Sequence, residues 1–189
     1  MILETMDFGH FYNNISNIFQ DFFTEEQMEE FMEFVHILAD ANFRCYKSNM
    51  LVIASRKKGE QNYKLVSDLE WVARSVGEYR VASKANINRF IHNVKTTKEV
   101  TAPEGWISDD IVYSIGEMMD RLSIETIKRE DFRVNNRPDH MRAASQELSG
   151  RVERYLISKL KEIDKKGFYE CVHEQRTYSL EGILNELVL

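Results

Sequence analysis

Asn42, Asn49, Arg80 and Asp120 stand where helical periodicity calls for apolar side chains. Asn42 and Asn49, one heptad apart, share an arc with Val35, Leu38, Tyr46 and Ile53. Arg80 falls inside a stripe running from Leu69 to Val94, close to the direction of Ala73 and Ile91. Asp120 lines up with Ile124 and Ile127, and Asp131 extends that row by one turn. A carboxylate or guanidinium removed from water is costly unless paired and hydrogen-bonded. The expectation is therefore that Asp120 and Arg80 meet across the core, with Asn42 or Asn49 adding hydrogen bonds and Lys84 and Ser123 at the margin. Such a network has two uses. It can fix helix register, or it can line a pocket in which Arg80, Lys84 and Arg89 hold a phosphate or carboxylate. The second use predicts binding of a small anionic ligand, a phosphorylated sugar or a nucleotide.

An acidic pair of motifs offers a different chemistry. Glu25, Glu26 and Glu29 match EExxE, and Glu117 with Asp120 matches ExxD. Together they resemble the magnesium-binding motifs of all-α nucleoside-triphosphate pyrophosphohydrolases, in which carboxylates on facing helices hold hard cations and orient a polyphosphate. Mg2+ is expected only under that reading; otherwise no cofactor and no metal site is predicted. In that family the motifs lie about a helical hairpin apart, whereas here nearly ninety residues separate them. The five histidines are scattered and form neither HExxH nor an HD pair, and no GxSxG, Walker loop or GxGxxG occurs. A third reading, a non-catalytic assembly or regulatory subunit, rests on the long helices and an aromatic N-terminal face, and implies homo-oligomer formation.

Composition narrows the setting. The 189 residues suit one domain and include only 8 Gly and 2 Pro, scarce enough to favour long helices over a turn-rich β fold. Two cysteines without zinc spacing point to a reducing cytoplasm, and no apolar run reaches the length of a membrane span. The net charge of -6 is uneven: residues 42–98 hold 12 Lys/Arg against 4 Asp/Glu, leaving 13 against 27 elsewhere. The basic middle is read as solvated helix faces that neutralise acidic neighbours, which argues against a nucleic-acid partner.

The elements that must position these residues read as an all-α bundle of five or six helices. An aromatic helix spans 8–23. Thr24 and Gln27 form a capping box that opens a helix, or two helices kinked near Ala41–Asn42, ending at the RKKG of 56–59. Ser67 and Glu70 form a second capping box for a helix from about 67 to 95, whose stripe is Leu69, Val72, Ala73, Val76, Tyr79, Ser83, Ile87, Phe90, Ile91 and Val94. A loop with Pro103 and Gly105 follows, and Ser108 or Asp109 caps the next helix. The helix around 110–131 is apolar on two sides, as a central helix is. Pro138 opens a last long helix that ends near Gly167. Residues 1–166 are thus read as the bundle and 167–189 as an appendage packed on it, a short strand or extended arm.

The helix GEMMDRLSIETIK (116–128) resembles the signature G-x-x-[IM]-D-x-L-S-I-x-x-[IL]-K of an uncharacterised bacterial domain-of-unknown-function family. ANFRCYKSNM (41–50), HEQRTY (173–178) and Leu184–Asn185 are weaker likenesses in the same order. The resemblance implies importance for Asn42, Asp120, Ser123 and Lys128, and adds Lys128 to the candidate ligand-binding set. It implies a helical fold and no established activity. Genes of that family accompany glycan-assembly genes, which implies a role around sugar nucleotides.

Overall fold

The structure, a computed structural model, describes residues 2–57, 63–95 and 115–166. These form five helices and no strand: α1 (Gly9–Phe19), α2 (Glu25–Lys57), α3 (Tyr63–Lys95), α4 (Ile115–Val134) and α5 (Asp139–Lys166). The expected all-α bundle is what the chain builds. The RKKG terminus, the Ser108/Asp109 cap and the appendage at 167–189 lie wholly or partly outside the described residues.

α1 and α2 run antiparallel, zipped by aromatic contacts. Phe8 meets Phe43, Tyr12 meets His36 at 4.0 Å and Phe19 meets Phe31 at 4.5 Å between ring centroids. The turn between them buries Phe22 and Phe23. The capping box at the start of α2 forms as read: the Thr24 N–H donates to Gln27 Oε1 at 3.1 Å, and the Gln27 N–H donates to Thr24 Oγ1 at 3.3 Å. Thr24→Ala is expected to cost about 1 kcal/mol in urea unfolding, because one amide of the first turn loses its acceptor. From this cap α2 continues as one helix of 33 residues. It contains no Gly or Pro, so nothing forces the kink considered near Asn42.

α3 returns antiparallel to α2: Phe31 and Phe34 pack near Phe90 at one end, and Arg56 pairs with Glu70 at the other. It starts at Tyr63, a turn before the expected Ser67 box, so Ser67 and Glu70 lie inside the helix. A capping sequence is an option that flanking helical residues override when the chain ahead also winds. The long α3 stripe is corrected as well. Ala73, Ser83, Ile87, Phe90 and Ile91 are buried, whereas Val72 and Tyr79 face outwards. Phe23, Phe31 and Phe34 surround Phe90 on that side of α3, and at Val72 and Tyr79 no such cover exists among the described residues.

α4 packs against each of the other four helices, the central position its two apolar faces required. Ile115, Met118, Met119, Leu122 and Ile127 are buried along it. A short turn containing Asn136, at φ 49°, folds α5 back along α4; asparagine tolerates this left-handed conformation. Among the described residues, no helix is long and apolar enough to cross a membrane.

Candidate functional site

Asp120 lies where α2, α3 and α4 converge, and it is buried. From α2, Asn42 Nδ2 donates to Asp120 Oδ1 at 3.0 Å and to Ser123 Oγ at 2.7 Å. The Ser123 hydroxyl donates to the Asp120 carbonyl at 2.9 Å. From α3, Arg80 Nε approaches Asp120 Oδ1 at 3.7 Å and Lys84 Nζ approaches Oδ2 at 3.8 Å; Lys84 also binds Glu117 Oε1 at 2.7 Å. The cross-core pairing read from periodicity is therefore present. Lys84 and Ser123, expected at the margin, are buried members of the cluster. Arg80 and Lys84 share a side of α3 because they are one turn apart, and Glu117, Asp120 and Ser123 share a side of α4 for the same reason.

The register of α3 against α4 is set by Gly116. Its N–H donates to Asn88 Oδ1 at 2.7 Å, so α3 supplies an acceptor for an amide of the first turn of α4. A Cβ at this position would lie 2.5 Å from the Lys84 carbonyl oxygen. Glycine is needed here for close approach of two backbones rather than for an unusual φ. One turn further along each helix, this contact puts Lys84 and Arg80 within reach of Glu117 and Asp120.

The cluster is electrically balanced, with two cations facing two carboxylates. Burial pushes the Asp120 carboxyl above its ordinary value of 3.8; Arg80, Lys84 and the Asn42 hydrogen bond act in the opposite direction. The cations stand beyond direct hydrogen-bond length from Asp120, and Asn42 Oδ1 is buried without a hydrogen-bond partner among the described residues. Access to water is through Glu117, whose side chain is about a third exposed, and along Arg80.

Three predicted site residues lie elsewhere. Arg89 is exposed on α3, nine residues beyond Arg80 and so half a turn from the side that meets Asp120. Asn49 is half-buried, and its amide points to Cys45 Sγ at 3.7 Å rather than to Asp120. It extends the polar row of α2 two turns past Asn42, beyond the reach of a short amide. Lys128 lies 3.4 Å from Glu125 Oε1, on the side of α4 that faces α5. Eight residues carry it roughly 12 Å along the helix from Asp120 and about 80° around it. Burial pushes the Cys45 thiol up, opposed by Arg80.

Two further polar groups inside the bundle escaped the sequence reading. Glu125 is fully buried, held by Arg121 at 3.2 Å, by Lys128 and by the Ser145 hydroxyl, which donates to Oε2 at 2.6 Å. The available signal was its i, i+3 and i, i+4 cations combined with small residues at 145 and 149 on the neighbouring helix. Asp131, noted only as extending a row, accepts hydrogen bonds from the Tyr46 hydroxyl and from Asn135 Nδ2. Burial and that bond push the Tyr46 hydroxyl up.

The acidic motifs do not assemble. Glu25, Glu26 and Glu29 are exposed on the first turns of α2. Glu29 precedes Asn42 by 13 residues, roughly 20 Å along the helix from the level of Asp120. Among the described residues, no group of three His, Cys, Asp or Glu side chains is placed to hold a metal ion. No family model, curated protein or solved structure matches the chain.

Proposed function

We propose that the chain is a cytoplasmic helical binding protein whose cluster at Asn42, Arg80, Lys84 and Asp120 takes a small anionic ligand that also carries hydroxyl groups, a phosphorylated sugar or a nucleotide. The observation that carries this reading is the mixed demand of the cluster. Two cations stand near a shared carboxylate at 3.7 and 3.8 Å, beside a buried acceptor, Asn42 Oδ1, that has no donor among the described residues. Phosphate oxygens accept from Arg80 and Lys84. A ligand hydroxyl donates to Asn42 Oδ1 or to the Asp120 carboxylate. Ser123 holds the Asn42 amide in place, and its one hydroxyl hydrogen is already given to the Asp120 carbonyl. The likeness of residues 116–128 to a family that accompanies glycan-assembly genes supports a sugar phosphate within this class.

Thermal unfolding with inorganic phosphate, a hexose phosphate and a nucleoside monophosphate, each with and without Mg2+, tests the proposal. A ligand present at about 100 times its Kd is expected to add about 2.7 kcal/mol, a rise of roughly 5–10 °C in Tm, and Arg80→Met is expected to remove most of that rise. Stabilisation that requires Mg2+ would favour the pyrophosphohydrolase reading, and no shift with any anion would contradict ligand binding here. The assembly reading is favoured by one observation of its own, the apolar side chains exposed on α2 and α3.

A further inference from the structure

The two carboxylates of the cluster are held differently. Lys84 Nζ lies 2.7 Å from Glu117 Oε1, a direct charge-assisted hydrogen bond, and 3.8 Å from Asp120 Oδ2, beyond that length. The Lys84 side chain is 5% exposed and that of Asp120 3%, whereas that of Glu117 is 34% exposed. The interior ammonium is thus tied to the carboxylate of the two that reaches water.

This placement governs what an entering anion meets. A buried ammonium needs a negative partner at all times. A phosphate oxygen that accepts from Lys84 must stand where Glu117 Oε1 now stands, and two anions at that separation repel. Asp120 cannot yield its place, because it is enclosed and takes a hydrogen bond from the Asn42 amide of α2. Glu117 can. Rotation about its own side-chain bonds carries the carboxylate into water, and it stays in the first turn of α4, a position that favours negative charge.

We infer that Glu117 occupies the anion seat of the unliganded protein, and that the phosphate of the ligand displaces it from Lys84. This deepens the reading of the cluster as an anion site and rests on it. The exchange keeps Lys84 paired throughout and makes Glu117 a competitor tethered beside the seat. A ligand meets a competent site only in the fraction of molecules whose Glu117 has swung out, and its apparent affinity falls by that fraction. With Glu117 seated in about nine molecules of ten, the reduction is about tenfold. The same competition sets specificity. A free carboxylate only repeats what Glu117 already offers, whereas a phosphate brings more acceptor oxygens and can bridge Lys84 and Arg80. The seat therefore selects phosphates over carboxylates.

Calorimetric titration with inorganic phosphate and with acetate tests this on wild type, Glu117→Gln, Glu117→Ala and Glu78→Gln. Glu78 is an exposed acid of α3, two residues from Arg80, and its loss changes the net charge equally while leaving the Lys84–Glu117 bond in place. Glu117→Gln is expected to bind phosphate roughly tenfold more tightly than wild type, and Glu78→Gln to bind as wild type does. Acetate is expected to bind Glu117→Ala and raise its Tm, and to leave wild type unaffected. Phosphate binding by wild type that is unchanged or weakened in both Glu117 variants would overturn the inference and leave the anion site standing. Equal tightening by Glu78→Gln would reduce the effect to net charge and overturn it too. No phosphate binding by wild type or by any variant would remove the anion reading, and the inference with it.

Discussion

Asp120→Ala is expected to destabilise the protein by about 3–5 kcal/mol in urea unfolding. The loss comes mainly from what stays behind. Arg80 and Lys84 remain in the interior without their shared carboxylate, and the Asn42 amide loses one of its two acceptors. Asp120→Asn keeps the shape and an acceptor oxygen, so its cost is expected to be smaller. It also tests the charge. Burial raises the folded-state pKa of Asp120 above 3.8, so the folded protein takes up this proton before the unfolded chain does. The contribution of Asp120 is therefore greatest below 3.8 and is lost as pH rises through the folded-state pKa. The stability gap between wild type and Asp120→Asn should favour wild type more in acid than at neutral pH. A gap independent of pH would mean that the carboxyl is solvated.

Gly116→Ala should cost about 2–3 kcal/mol, large for the addition of one methyl group. The new Cβ would meet the Lys84 carbonyl oxygen at 2.5 Å, and that atom belongs to helix backbone, which cannot turn aside as a side-chain tip can. The first turn of α4 must then lift away from α3. The Asn88 bond to the Gly116 amide stretches, and Lys84 and Arg80 withdraw from Glu117 and Asp120. Stability and anion binding should fall together in this variant. Gly77→Ala is the matched control: its Cβ meets nothing within 4 Å, and removal of a helical glycine there should be neutral or stabilising. Equal effects at the two positions would remove Gly116 as the residue that sets the register.

The polar core was legible because burying charge is costly enough to leave a mark in the pattern. Asn42, Arg80 and Asp120 each break an apolar stripe, and only a mutual contact makes three such breaks tolerable. The central place of α4 could be read from its two apolar sides in the same way. Glu125 was harder to see. Its partners Arg121 and Lys128 sit four and three residues away, a spacing that also describes any solvated helix face, and only α5 shows that the carboxylate is enclosed. The start of α3 was misplaced because Ser67 and Glu70 satisfy a capping pattern that a longer helix leaves unused. Burial of Val72 and Tyr79 was misjudged for a different reason. Periodicity gives the direction in which a side chain points and carries no information about whether another element lies there. Lys128 was drawn in by resemblance alone, and its distance along α4 takes it to a separate carboxylate.

The most direct measurement is an NMR titration of the folded protein with a hexose phosphate, following the side-chain N–H signals of Asn42 and Arg80. The account predicts that both move and saturate together, that inorganic phosphate competes, and that Asp120→Asn weakens the response. Signals that stay fixed while the ligand binds elsewhere, or no binding at all, would leave the cluster as a lock on helix register and contradict the proposed site.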